Sequence, residues 1–367
     1  MTFTRRPSAA STAVALVLSA VAAQAEEPKQ LFIYNWSDYI AEDTIANFEA
    51  ETGIDVTYDV FDSNEVLEAK LLAGSSGYDL VVPSATFMAR QIQAGVFMPL
   101  DKAKLPNLAN LDPAMMETVA ANDPGNEHGV IYMWGTTGIG INVEMVAERL
   151  GEEIPRSWDL VLDPEIAAKL ADCGITWLDS AAEVMGPVLN AIGRDPTSKA
   201  TEDFEAAAEA IMAVRPHIRY FHSSQYVNDL ANGDVCVSVG WSGDVFIARD
   251  RAAEADNGVT VDYVIPVEGT MTWFDMMGIP ADAPHPENAH LFLDYLMRPE
   301  VTAGITNYVW YANANTASLE MVDPEITADP AIFPPQDVKD KLFPAVVYGP
   351  REDRVLNRLW TEIKTGR

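Results

Sequence analysis

Short apolar runs alternate with amphipathic stretches through the first third of the chain. Leu31 to Trp36, Val56 to Phe61 and Asp79 to Pro83 carry the β-branched and aromatic residues of strands. Between them, Glu42 to Glu51 places Ile45 and Phe48 on one face, and Asn64 to Ala73 has a similar helical spacing. Strand-helix-strand-helix-strand order predicts a parallel sheet with right-handed crossovers. A helix from Thr86 to Gln93 follows, and the Asn- and Pro-rich stretch from Pro106 to Pro113 then breaks the pattern.

A second unit is expected to begin near Trp134. Ile139 to Asn142 reads as a strand, Glu202 to Val214 and Ser224 to Ala231 as helices, and Val235 to Trp241 as a continuous apolar strand of the kind buried in parallel sheets. Val259 to Ile265 is a further strand. The last hundred residues read as mainly helical, including Glu287 to Met297. These patterns predict two α/β lobes rather than one large sheet: 26–134 with about 256–300, and 135–255 with about 301–367. Hinges are placed near Trp134 to Thr137 and Ala252 to Asn257.

The amino terminus follows different rules. Arg5 and Arg6 precede an apolar run from Thr12 to Ala23, and Ala23-Gln24-Ala25 is a small-x-small cleavage site before Glu26-Glu27-Pro28. Residues 1–25 therefore read as a secretory signal peptide, with an apolar core too short to span a bilayer. The mature chain is expected in the periplasm. There, Cys173 and Cys236, without CxxC or nearby His ligands, are expected to pair, the alternative being two separate buried thiols.

Charge narrows the partners. The chain has 367 residues, with 24 Lys and Arg against 55 Asp and Glu, and 48% of it is hydrophobic, enough for two cores. A net charge of −31 argues against nucleic acid or an anionic membrane, which call for basic surfaces. Enzyme signatures are missing: the sequence holds no GxSxG, Walker A, HExxH or GxGxxG, and its five His are scattered. No metal or cofactor is expected.

What stands out is a set of acidic and aromatic clusters at strand ends. Trp36-Ser37-Asp38-Tyr39 follows the first strand, Ser84 closes the third, Trp241-Ser242-Gly243-Asp244 closes a later one, and Trp273-Phe274-Asp275 is read as a loop beyond the Val259 strand. Ligands of α/β sheets bind at the carboxyl ends of strands, and carboxylates among indole and phenol rings suit an organic cation. Bland alternatives exist: Asp38 and Asp244 as helix N-caps, Glu183 as half of a capping box with Ser180, and the tryptophans as core residues. Two rival functions are a secreted hydrolase with paired carboxylates and a ferric-ion binder.

At these clusters the chain resembles the periplasmic polyamine-binding proteins of ABC transporters, most nearly their putrescine branch. The matching segments are Tyr34-Asn35-Trp36-Ser37-Asp38-Tyr39-Ile40, Asp59 to Leu67, Asp79 to Ser84, Tyr132 to Gly140, Arg219 to Tyr226 and Tyr311-Ala312-Asn313-Ala314-Asn315. The resemblance implies a type II periplasmic binding protein fold, a mixed sheet flanked by helices in each lobe, with the ligand enclosed between the lobes. It implies a monomer delivering putrescine, or another amine such as spermidine, cadaverine or agmatine, to a membrane permease. Its ligand positions correspond to Trp36, Ser37, Asp38, Tyr39, Ser84, Glu183, Trp241, Asp244, Trp273, Asp275 and Tyr311, and its disulfide to Cys173 and Cys236. Trp273 stands where the putrescine branch typically has Phe, whereas Ser180 and Thr86 are closer to that branch than to spermidine binders. Trp241 and Trp273 are expected to sandwich the carbon chain.

Overall fold

The computed structural model describes residues 1–2 and 27–367, so the leader expected from Arg5 to Ala25 lies outside the described residues. The strands, in chain order, are β1 (Gln30–Trp36), β2 (Asp55–Phe61), β3 (Leu80–Val81), β4 (Gly129–Asn142), β5 (Ile175–Trp177), β6 (Ile218–Phe221), β7 (Val237–Trp241), β8 (Val261–Val264), β9 (Met271–Gly278), β10 (Ala312–Asn313) and β11 (Phe343–Pro344). Along the sheet the order is β2-β1-β3-β9-β4-β7-β5-β6; β8 and β10 also pair with β4, and β11 pairs with β9.

The opening βαβαβ pattern forms as the periodicity predicts. β1 is parallel to both β2 and β3, and helices Thr44–Thr52 and Asn64–Leu72 connect them. The second helix begins at an N-cap serine, Ser63, whose side chain accepts from the Val66 N–H and satisfies one of the free amides at the helix start. Helices Thr201–Val214, Gln225–Asn232 and Pro286–Leu296 lie within a residue or two of their predicted bounds.

Two readings need correction. Trp273 and Asp275 lie on strand β9, not in a loop. There, buried Met271, Trp273 and Asp275 alternate with the half-buried Thr272 and Phe274, so period-two geometry turns indole and carboxylate to the same face. An acid on the buried face obscures the apolar alternation by which strands are recognised. The second correction concerns β4, expected only from Ile139. It runs unbroken for 14 buried residues, pairing with β9 through Gly129–Thr136 and with β7 and β8 through Thr137–Asn142. Four glycines in this stretch had masked it as a strand.

One hydrogen-bonded path thus joins all the described strands, while the side chains segregate into two cores. The first gathers residues such as Leu31, Phe48, Leu67, Met133, Phe292 and Ile305. The second gathers Trp158, Trp177, Phe204, Val239, Phe246 and Trp360, and also Val261, Tyr263 and Val264 of β8. β4 contributes to both, Val130, Ile131, Tyr132 and Met133 to the first and Trp134, Ile139 and Ile141 to the second, as does the helix Pro299–Val309 with Ile305 and Val309 in the first and Ala303 in the second. Among the described residues no helix is long and apolar enough to cross a membrane.

Cys173 and Cys236 form a disulfide inside the second core, closing a separation of 63 residues. The alternative of two free thiols is not what the structure shows. Loop closure of this length contributes up to about 4 kcal/mol in the chain-entropy model. Replacing both cysteines by serine is expected to lower the melting temperature while leaving ligand affinity within a few-fold, because neither cysteine borders the cleft described next. Calorimetric melting and titration of the double variant check both; two free thiols in the unreduced protein would remove the premise.

Candidate ligand-binding site

A cleft opens where the ends of β1, β2, β3 and β7 face β9. All eleven residues singled out in the sequence border it: Trp36, Ser37, Asp38 and Tyr39 after β1, Ser84 after β3, Glu183, Trp241 and Asp244, Trp273 and Asp275 of β9, and Tyr311. Phe61, Asp62, Ser223, Ser224 and Val227 line it too and had not been singled out. The signal for four of them was present, since Phe61-Asp62 ends β2 and Ser223-Ser224 follows β6, the same strand-end rule that found the others.

Three carboxylates face this cleft, Asp275 and Glu183 buried and Asp244 partly so, and each is held by neutral donors. Asp275 accepts from the Tyr39 hydroxyl at 2.9 Å and the Ser84 hydroxyl at 2.6 Å. Asp244 accepts from the hydroxyls of Tyr226 (2.8 Å) and Tyr311 (2.6 Å). Glu183 accepts from the Thr137 hydroxyl at 3.1 Å and the Trp241 indole at 3.3 Å. None of the three forms an ion pair among the described residues.

Burial outweighs these contacts, because a carboxylate removed from water favours its neutral form, and at Asp244 the nearby Arg251 charge also works against it. Desolvation, against the lowering effect of these hydrogen bonds, pushes Asp244 up to about 6 and Asp275 and Glu183 up to about 7. The negative charge of Asp244 adds to the rise at Asp275, and that of Asp275 to the rise at Glu183. The hydroxyls of Tyr39 and Tyr311 are held well above the usual phenol range, first by burial and then by the neighbouring acids. Both stay protonated and donate to the acids, and the Tyr311 oxygen also accepts from the Asp244 N–H at 3.0 Å.

The capping alternatives do not hold. Asp244 lies in the first turn of helix Ser242–Ala255, but its side chain bonds the two tyrosines. Ser180 precedes helix Ala181–Ala191 without a side-chain cap bond, and Glu183 turns into the cleft instead of back to it. Asp38 caps nothing either: its φ of 53° puts it in the left-handed region, which Asp tolerates better than most residues. Its half-exposed carboxylate borders the cleft and pairs with the Arg251 guanidinium, at 2.5 Å.

Aromatic rings complete the walls, Trp241 and Trp273 among them. Trp36 meets Trp241 edge to face, with centroids 5.5 Å apart, and donates its indole N–H to the Val82 carbonyl at 2.8 Å. Trp273 leans on Tyr311 at 5.6 Å, and Tyr311 meets Tyr39 edge-on at 5.0 Å. Two glycines make room: a Cβ at Gly135 would sit 2.8 Å from the Trp273 ring, and one at Gly243 would sit 2.2 Å from that of Tyr311.

Residues 43–334 match the model of the family described as bacterial extracellular solute-binding protein. The chain belongs to this family. Among its relatives, the putrescine-binding periplasmic protein PotF of Escherichia coli K12 is 55% identical over 96% of each chain, and the putrescine-binding periplasmic protein SpuD of Pseudomonas aeruginosa is 50% identical over 94% of each. A solved structure, a putative spermidine/putrescine ABC transporter from Listeria monocytogenes, superposes with a TM-score of 0.82 at 33% identity, covering 92% of this chain and 100% of the other. The fold is the two-lobed, type II periplasmic binding protein fold.

Two predictions follow from the geometry. Gly243→Ala should displace the Tyr311 ring from Asp244 and weaken binding of an organic dication by more than tenfold; calorimetric titration with a diamine, alongside a melting curve to show the variant is folded, checks this. The second is a pH dependence. Cation binding requires the ionised carboxylates, so affinity should fall as pH drops through about 7 to 6. Without ligand the sign reverses, because carboxyls with raised values stabilise the fold below their unfolded pKa and lose that contribution as pH rises through 6 to 7. The ligand-induced rise in melting temperature should therefore shrink steadily from pH 8 to pH 5, and a constant increment over that range would contradict the assignment.

Proposed function

We propose that this chain is a periplasmic solute-binding protein that captures putrescine and delivers it to an ABC transporter. The observation that carries the reading is the trio of cleft carboxylates, two buried and one partly so, with only neutral donors around them. Their charge is costly to bury unless something brings in compensating charge. A diamine with amine pKa values near 10 is doubly charged at periplasmic pH, and its methylenes suit the ring-lined walls. Relatives named as binding putrescine at 55% and 50% identity support the same choice.

In this reading Asp244, Asp275 and Glu183 receive the ammonium groups. Trp36, Trp241, Trp273 and Tyr311 cover the carbon chain, while Ser37, Ser84 and Tyr39 supply the remaining hydrogen bonds. The lobes are drawn from the two cores: 27–133 with 271–314, and 135–264 with most of the remainder, the sequence-derived boundary near 256 moving to the start of β9. Because Asp275 belongs to the first and Asp244 and Glu183 to the second, a bound dication favours closure by bonding both sides at once. A monomer presenting its closed form to a membrane permease completes the cycle. Other relatives carry the names putrescine/agmatine-binding and putrescine/cadaverine-binding protein, at 42% and 32% identity, so neighbouring amines belong in any assay.

Titration calorimetry with putrescine, spermidine, cadaverine and agmatine tests the proposal, with putrescine expected to bind at least as tightly as the others. Asp244→Asn and Asp275→Asn should each cost about 2 to 5 kcal/mol of putrescine affinity, because an ammonium is left buried without its counter-charge. Affinity within about a factor of two of the parent would remove that residue from the ammonium-binding set.

A further inference from the structure

Outside the cleft, the two lobes meet again along a surface groove. The first lobe brings two helices to it, Asn64–Leu72 with Glu65 and Glu68, and Ala85–Gln93 with Phe87 and Arg90; Leu67, Leu71 and Met88 tie both helices to the first core. The second lobe brings the starts of Ala181–Ala191 and Pro350–Thr365, the latter carrying Asp353, and Val184, Leu356 and Leu359 tie these to the second core. No residue of this groove borders the ligand cleft.

One side chain spans the groove. The Arg90 guanidinium is fixed on its own side by a two-pronged contact with Glu68, Nε to Oε1 at 2.6 Å and Nη2 to Oε2 at 2.7 Å, and it lies 4.0 Å from the centre of the Phe87 ring. Its remaining amino group, Nη1, donates across the groove to the Asp353 carboxylate at 2.9 Å. Fork-shaped bonding holds a guanidinium in one orientation, as it could not hold a lysine ammonium, so the third arm is aimed before the lobes meet. Asp353 has no other side-chain partner among the described residues, and it sits in the first turn of its helix, where the dipole favours a carboxylate. On the same helix as Glu68, Glu65 accepts from the Ser180 hydroxyl of the other lobe at 3.2 Å.

We propose that the ion pair of Arg90 with Asp353 is a closure clasp: it exists only while the lobes are together, its first-lobe half is assembled in advance on Glu68 and Phe87, and it slows reopening by the same factor whichever amine the cleft holds. This rests on the reading above in which the lobes close on an amine. The ion pair of Asp38 with Arg251 also joins the lobes, but Asp38 borders the cleft, so that pair does not act apart from the ligand. Arg90 and Asp353 keep 22% and 33% of their side-chain surface exposed, so water screens the pair and its contribution is modest. A clasp strong enough to hold the empty protein shut would leave a ligand little to shift.

The test follows amine release by stopped-flow fluorescence of the cleft tryptophans, with putrescine and with spermidine, on the parent, Asp353→Asn, Arg90→Gln and the double variant. Each single variant should release both amines about two- to fivefold faster, with association changed by less than about a factor of two and the spermidine-to-putrescine affinity ratio unmoved. The double variant should lose no more than either single one, because the pair is gone in all three. Asp353→Asn leaves Arg90 on Glu68 and Phe87, so its ligand-free melting temperature should match the parent's, and Asp353→Glu, which keeps the charge, should restore slow release. Parent-like release in Asp353→Asn, a change confined to one amine, or losses that add in the double variant would each overturn the clasp. Should Arg90→Gln fail to fold, Asp353→Asn and Asp353→Glu decide alone. A parent that binds neither amine overturns the proposed function instead; X-ray scattering of the ligand-free chains then decides the clasp, with a larger radius of gyration expected for Asp353→Asn than for the parent and equal radii overturning it.

Discussion

Negative charge buried without a cation is the constraint around which this molecule is arranged. Each cleft carboxylate uses hydroxyl or indole donors, which soften the cost of desolvation without cancelling it. A buried arginine would have removed that cost and, with it, the reason for a dication to bind. Neutral donors around the cleft acids leave that charge unbalanced by any ion pair. The surrounding fold supplies those donors from distant parts of the chain: Tyr39 and Ser84 on Asp275, Tyr226 and Tyr311 on Asp244.

Legibility in the sequence tracked how local each feature is. The opening βαβαβ unit depends on periodicity within a dozen residues and was readable within a residue or two. The cleft residues were readable because they sit at strand ends, where chemistry and position coincide in one short segment. β9 was not, since its inward face carries an aspartate that only long-range pairing with β4 and Ser84 makes reasonable. Tyr226 lay in a segment that marked the family, yet its role on Asp244 could not be seen. A tyrosine 18 residues from its partner, reaching across from the helix Gln225–Asn232, has no spacing rule to announce it.

Strand β4 explains how two cores behave as one binding device. Its first half hydrogen-bonds β9, which carries Asp275 and Trp273, and its second half hydrogen-bonds β7, which ends at Trp241. Thr137, the donor to Glu183, lies on β4 where the pairing passes from one partner to the other. A change of twist at this point would therefore move Asp275 and Glu183 relative to each other, altering the spacing of the very carboxylates that a diamine must bridge.

That coupling bears on why the cleft contacts are weak ones. Contacts between the two cores include Trp36 against Trp241 and Tyr311 on Asp244, both present with the carboxylates uncompensated. If such neutral contacts alone made closure strongly favourable, a ligand would have little left to shift, because it moves an equilibrium only by its differential affinity for the two states. In the proposed reading, mutual repulsion among Asp244, Asp275 and Glu183 would oppose closure until ammonium groups arrive. The acids would then act twice, as the attraction that binds the ligand and as the repulsion that keeps the unliganded protein from mimicking the bound one, and the same charge would make closure conditional on a cation.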